Sequence, residues 1–241
     1  KLLITKSTQQ MQSTYKYLLI SLLICFAASS IQAQNKQDKK PEVKTPNVKW
    51  WDGMTLQVDA ASIASSTLLS KDIYSVEAGA QINLKNKYLP VVELGYASVN
   101  KTSLEDIRFK TNGFFGRVGL DFNLVKKKKD GKLSPNLFLM GLRLGMTNAT
   151  YTINNMIITN DYWGANQTLP ESKLTPTKIW FELVVGIRVK VVDNIYMGWS
   201  LRNKHLLTTD KVGDISPWYI PGYGKNASSN WGFSYTVGYK F

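Results

Sequence analysis

The chain reads most clearly as a series of short segments in which apolar and polar residues alternate. In the last, 230–241, Trp231, Phe233, Tyr235, Val237, Tyr239 and Phe241 share one parity, while Asn230, Gly232, Ser234, Thr236, Gly238 and Lys240 share the other. Successive side chains of a β-strand point to opposite faces, so this segment predicts a strand with one aromatic, apolar face and one small, polar face. The same period of two recurs over 55–60, 73–84, 91–98, 114–124, 137–146, 179–191 and 195–205. Eight strands are predicted in all, an even number such as single-chain bacterial transmembrane barrels contain.

The polar parity carries charges of both signs in equal number: Asp59, Glu77, Glu93, Asp121 and Glu182 against Arg117, Arg143, Arg188, Arg202 and Lys204. A soluble eight-stranded barrel turns its apolar parity inward and its charges to water. A balanced charge set fits the reverse arrangement, because buried charges are costly singly and tolerable when paired. The expected fold is therefore all-β, an eight-stranded antiparallel transmembrane up-and-down β-barrel over 50–241. Its interior is narrow enough to be filled by side chains, here a lumen charge network. A soluble periplasmic barrel or sandwich is the structural alternative.

Counted from a periplasmic N-terminus, the even connections should be short, and they fall at 85–88, 125–136 and 192–194. The odd, outward connections are predicted at 63–72, 100–113, 147–177 and 206–229. Ahead of the barrel, Met11 is a plausible start and Lys16 supplies a positive region. An apolar run over 17–28 is too short to span a bilayer, and Ala33 closes a cleavage-like tripeptide. Residues 1–33 thus predict an upstream extension and secretory signal peptide, with the mature chain starting near Gln34. Residues 34–49, charged and Pro-containing, predict a basic flexible periplasmic tail.

Composition changes this picture little. The net charge of +13 and a pI of about 9.6 raise nucleic-acid binding, since clustered Lys and Arg neutralise phosphates. The basic residues, however, gather in the tail and in Lys126 to Lys129, away from the alternating aromatics, so no nucleic acid is expected. Anionic groups of lipopolysaccharide or peptidoglycan are the better partners for them. Cys25, the one cysteine, lies within the apolar run. Ile24 stands before it where a lipoprotein signal places a small residue, so cleavage after Ala33 would leave a mature chain without thiols and without a thiolate metal site.

The secretion signal, the strands and the terminal WGFSYTVGYKF resemble the small bacterial outer-membrane barrels of the OmpA transmembrane-domain and OmpX type. That resemblance implies an outer-membrane location in a Gram-negative bacterium. It also implies an insertion signal at Tyr235, Val237, Tyr239 and Phe241, read by the barrel-insertion machinery. The stretch WYIPGYGK (218–225), with the long third outer loop and the Lys-rich tail, is also similar to an uncharacterised barrel family of Bacteroidetes, which implies localisation but no activity.

His205, the one histidine, stands near the outer end of the seventh predicted strand, on a face with Leu201 and Asn203. Barrel lipid A deacylases carry a histidine at such a rim, with a Ser nucleophile close by on the same face and a carboxylate to orient the ring. Here the matching position is Leu207, followed by Thr208, Thr209 and Asp210, so no catalytic residue is expected. Loop aromatics offer recognition instead: Tyr151, Tyr162 and Trp163 in the third outer loop, and Trp218, Tyr219 and Tyr223 around a turn fixed by Pro and Gly. The sequence holds no phosphate loop, no HExxH and no cysteine pair, so no cofactor is expected. The expected function is that of a non-enzymatic membrane protein whose filled barrel anchors loops or a tail that meet outer-membrane lipid, lipopolysaccharide or an envelope protein. A narrow pore and a lipid-modifying barrel enzyme are the alternatives.

Overall fold

The alternation becomes a closed wall of long antiparallel strands in the computed structural model of the chain, whose described residues are 49–66, 72–104, 106–125, 133–155, 157–158, 167–168, 172–208 and 216–241. The barrel strands are β1 (Trp51–Asp59), β2 (Ile73–Leu84), β3 (Tyr88–Thr102), β4 (Arg108–Asn123), β5 (Leu137–Asn154), β6 (Thr177–Val192), β7 (Ile195–Leu206) and β8 (Ser229–Lys240). Each pairs with the next, and β8 returns to β1 from Thr55↔Lys240 to Asp59↔Thr236. The fold is thus all-β, a closed eight-stranded antiparallel barrel. The signal-peptide region, nearly all of the tail, and Lys126 to Lys129 lie outside the described residues.

One end of the barrel carries tight turns. Lys85 and Asn86 both have φ of 53°, and Lys87 N–H donates to the Leu84 carbonyl at 3.0 Å. Two successive left-handed residues in this three-residue hairpin loop make the turn that matches the native strand twist. Asp193 and Asn194 form a two-residue turn between β6 and β7.

At the opposite end the strands run further than the sequence predicted. β3, β4 and β5 contain 15, 16 and 18 residues, where about 9–11 suffice to cross a bilayer. The connection expected over 100–113 shrinks to 103–107, and the first part of the expected loop 147–177 is strand. The reason is visible along β5. Its outward positions are Phe138, Met140, Leu142, Leu144 and Met146, all exposed, then Asn148, Thr150, Thr152 and Asn154. Its inward positions are Leu137 and Leu139 at the turn end, then Gly141, Arg143, Gly145 and Thr147, then buried Ala149, Tyr151 and Ile153. The alternation does not stop at Met146; its sense reverses. The neighbouring β4 reverses beside it, with Arg108, Lys110 and Asn112 outward before Phe114, and Phe109 inward.

The wall is therefore apolar outside over its lower part and apolar inside above it. Exposed apolar side chains form a continuous belt around all eight strands, among them Val58, Leu94, Val118, Leu142, Ile187, Trp199 and Phe233. A belt of that extent has no place on a soluble monomer. Aromatic pairs edge it: Tyr88 with Phe122 and Tyr239 with Phe241 at the turn end, Tyr96 with Phe114 at the loop end, as interfacial girdles do.

β1 departs from the rest. The sequence placed its end at Ala60, but the strand stops at Asp59, whose side chain accepts the Ala61 N–H at 3.0 Å and starts a single-turn helix, α1 (Ala60–Ala64). An Asp before an Ala-rich run is a helix-start signal that the period-two reading passed over.

The belt predicts a depth-dependent penalty. Leu142→Arg, in mid-belt, should lower the stability of the bilayer-inserted barrel by about 2–4 kcal/mol, and Asn148→Arg, past the reversal, by about 0–1. Urea titration of refolding into vesicles measures both, and equal costs would refute the placement of the belt.

Candidate functional site

The inward parity of the belt-level wall is a layer of paired charges under a plug. Its centre is Glu93 on β3, 1% exposed. Arg202 on β7 meets both Glu93 oxygens, Nη1 at 2.7 Å and Nη2 at 3.2 Å. Arg143 on β5 and Arg117 on β4 each approach it at 3.4 Å. Arg143 also makes a two-bonded pair with Asp121, at 2.6 and 2.9 Å. Arg117 lies 2.6 Å from Glu77 Oε2 and, through Nε, 2.7 Å from Glu182 Oε1. The Trp180 indole donates to that same Glu182 oxygen at 2.7 Å.

Eight of the ten expected lumen charges therefore gather around Glu93 or beside it, counting Lys204. The last two, Asp59 and Arg188, do not join. Asp59 is buried but serves backbone: besides capping α1 it accepts the Tyr235 N–H at 3.1 Å. The sequence reading counted it as an ion-pair member because alternation reports facing and not partner. Arg188 donates to the amide oxygens of Gln81 at 2.5 Å and Gln57 at 2.9 Å. Gln81 in turn donates to Asp121 at 2.6 Å, tying Arg188 to the layer through a neutral bridge. Lys204 spends its visible bond on a backbone carbonyl, Gly222 O, at 2.8 Å.

That carbonyl belongs to the plug. In the sequence Ile220-Pro221-Gly222-Tyr223, the Tyr223 N–H bonds the Ile220 carbonyl at 3.0 Å and Gly222 has φ of 78°. Pro at the second place and a left-handed Gly at the third are the demands of a type II turn. The turn points into the mouth: Ile220, Pro221 and Tyr223 are buried, and Arg117 Nη2 reaches Gly222 O at 2.7 Å. A β-carbon on Gly222 would stand 2.5 Å from the Phe115 ring. Ala97, Phe115, Trp180, Ile220 and Tyr223 pack as one apolar cluster over the charge layer. Val99, Phe109, Tyr151 and Ile153 form a second, and Leu89, Leu137 and Leu139 a third. A cavity of about 190 Å³ beside Arg188 and one of about 650 Å³ beside the plug flank the layer, with a small one of about 40 Å³ among the layer's own side chains.

These clusters correct the loop expectations. Tyr151 and Tyr223 are inside the barrel, Tyr223 against Trp180 at 5.8 Å between ring centroids. Tyr219 is half-buried, packed against the second cluster, and burial raises its phenol above the ordinary range. Trp218 stacks on Phe109 at 5.3 Å and is partly exposed. Tyr162 and Trp163 lie outside the described residues. Glycines opposite large side chains were the available signal: a β-carbon on Gly145 would meet the Trp180 indole at 2.3 Å, and one on Gly95 the Phe115 ring at 2.2 Å. The strand-terminal Tyr235, Val237, Tyr239 and Phe241 all face outward.

His205 stacks on Phe181, centroids 4.8 Å apart, and its ring bonds Asn203. The Thr208 hydroxyl accepts the Ile179 N–H at 3.2 Å. Thr209 and Asp210 lie outside the described residues. Among the described residues no group of three or more His, Cys, Asp or Glu stands together as a metal site would need.

Residues 14–241 match the model of a family described as a domain of unknown function (DUF6048), and the chain belongs to that family. No curated protein matches it. Among solved structures it is similar to Neisserial surface protein A (NspA), with 16% identity and a TM-score of 0.43 over 80% of this chain and 100% of that one. It is also similar to Ail, the attachment invasion locus protein of Yersinia pestis, solved with the heparin analogue sucrose octasulfate. There the identity is 10% and the TM-score 0.38, over 78% of this chain and 94% of that one.

Removing the central carboxylate should be severe. Glu93→Gln leaves guanidinium charge buried without its partner, and we expect a loss of about 3–5 kcal/mol. Asp59→Asn, which keeps a side-chain oxygen for the Ala61 and Tyr235 N–H groups, should lose about 1. Equilibrium unfolding of the two variants makes the comparison.

Proposed function

We propose that this DUF6048 protein is an integral outer-membrane β-barrel that neither conducts nor catalyses. In this reading its filled lumen is a rigid anchor, and the tall wall of β3, β4 and β5 is what it presents to another envelope component. The observation that carries the reading is the reversal of facing along β4 and β5. A strand that is inside-out at the belt and apolar-inside above it is built to cross hydrocarbon and then stand in water. Eighteen residues at about 3.3 Å each reach roughly 60 Å, more than a tilted crossing uses. The tripeptide ending at Ala33 and the outward aromatic end of β8 support export and insertion at the outer membrane.

The surface just past the belt suits anionic lipid heads. Asn100, Lys110, Thr152 and Lys173 stand in one cross-strand row, with Lys110 and Lys173 exposed. Arg108 is exposed one row further out, partly met by Asp106 at 3.7 Å. Cations at that height face the phosphates of lipopolysaccharide in the outer leaflet.

Two cavities separated by paired charges support a closed lumen over a pore. His205 stacks on the Phe181 ring and bonds the Asn203 side chain, with Ser229 opposite it on β8; an amide where a catalytic ring would have an orienting carboxylate supports a non-enzymatic role.

Fractionation of cells expressing the full chain, with electrophoresis before and after heating, tests the membrane reading. The protein should be recovered with the outer membrane as a heat-modifiable band, and a soluble, non-shifting band would overturn the reading. In planar bilayers the purified barrel should give no stable conductance; regular open steps would replace the anchor with a pore.

A further inference from the structure

The wall has a breach, and it leads to a cation. β1 ends at Asp59, opposite Thr236 on β8 and one position past the last β1–β2 pair, Val58↔Ala78. Beyond that level β8 continues through residues 229–235, paired on its other side with β7 alone. β2 continues through residues 73–77, paired with β3 alone. No described strand joins these two edges. The single-turn helix α1 stands in the gap, and the Asp59 carboxylate takes up the Tyr235 N–H that a longer β1 would have paired. The breach opens at belt height on the loop side, since Trp231 and Phe233 beside it face outward and are 69% and 63% exposed.

Behind the breach lies the cavity of about 650 Å³, reached past Ala61 and Ala64 and ending at Lys204. That volume is within the range of small-molecule sites, roughly 300–1,000 Å³. Its entrance is apolar and its floor is charged. The charged groups facing it are Asp59, Glu77, Arg117, Arg202 and Lys204. Asp59 is occupied by two backbone N–H groups. Glu77 is held by Arg117 at 2.6 Å and Arg202 at 3.4 Å, and Arg202 holds Glu93 besides. Lys204 differs: its ammonium, a three-proton donor, bonds a carbonyl and, among the described residues, has no carboxylate within 4.0 Å, although Glu182 stands opposite it across the β6–β7 pair.

We propose that this breach is a lateral binding site for a single-chain amphiphile with an anionic head. The chain lies against α1 and the Trp231 to Phe233 edge, and the head pairs with Lys204. The site rests on the membrane reading above, because only a barrel in lipid meets such a ligand from the side.

The test uses the barrel in phosphatidylcholine nanodiscs, with each variant first checked for its heat-modifiable band so that failure of the barrel is told apart from failure of the site. Dansyl-labelled undecanoate should bind saturably and be displaced by dodecanoate but not by dodecanol. Lys204→Gln should weaken it about tenfold, and Ala61→Trp or Ala64→Trp should abolish binding by filling the entrance. Equal displacement by the acid and the alcohol would overturn head recognition. So would unchanged affinity in Lys204→Gln, and the absence of saturable binding to a folded barrel would overturn the site itself. Should Lys204→Gln fail to fold, the acid-against-alcohol displacement decides on the unaltered protein.

Discussion

Hydrocarbon offers no water to the edge of a sheet, so each backbone N–H and C=O of a membrane-level strand needs a protein partner. Closure of β8 onto β1 follows from that constraint, and so does much of what is unusual here. Where β1 ends early, the Asp59 side chain meets the first of the deficit, bonding the Tyr235 N–H and capping the helix that stands in place of the missing strand. A residue whose parity suggested a charge partner is committed instead to backbone, because the break in the ladder is the more pressing demand.

Closure also forces the polar parity into a narrow lumen, where charges are tolerated only in company. Glu93 answers this with three guanidiniums from three strands, β4, β5 and β7. The layer thereby cross-links opposite sides of the wall rather than neighbours alone. Buried ion pairs are weak evidence for stability in themselves. Their effect here is to fix which side chains occupy the centre, and the plug depends on that: Gly222 O sits between Arg117 and Lys204. The turn 220–223 is thus held from below by charge and from the sides by Phe115 and Trp180.

The barrel, its strand count and the facing of almost every belt residue were legible in the sequence because period two is a direct record of which side a strand residue points to. What the period could not record was where the pattern changes sense. Past Met146 the polar residues Asn148, Thr150 and Thr152 alternate with Ala149, Tyr151 and Ile153 as regularly as before, but the greasy parity is now inside. Reading polarity as loop shortened β3, β4 and β5. The charge layer's members were named from parity, but their partners come from tilt and distance across the lumen, which a linear sequence does not carry. The plug was half legible: Pro221-Gly222 announced a turn, and nothing local said that it would point inward. Only the glycines facing Phe115 and Trp180 hinted that large groups from elsewhere needed the room.

The two breaks in regularity point in different functional directions. The reversal on β4 and β5 adds height without adding an opening, which is the property of a support. The early stop of β1 adds an opening without adding height, on the opposite part of the ring and at the level of the lipid. A wall that was merely short at β1 would leave an uncovered edge; this one leaves an edge with one carboxylate assigned to it and, behind it, an ammonium bonded to a single carbonyl. Holding the plug uses one proton of Lys204, on the Gly222 carbonyl, whereas Arg117, Arg143 and Arg202 each hold an acid. The proposed binding site and the proposed anchor are therefore separable features of one barrel, and the first should be lost by substitution at Lys204 or α1 with the closed sheet left intact.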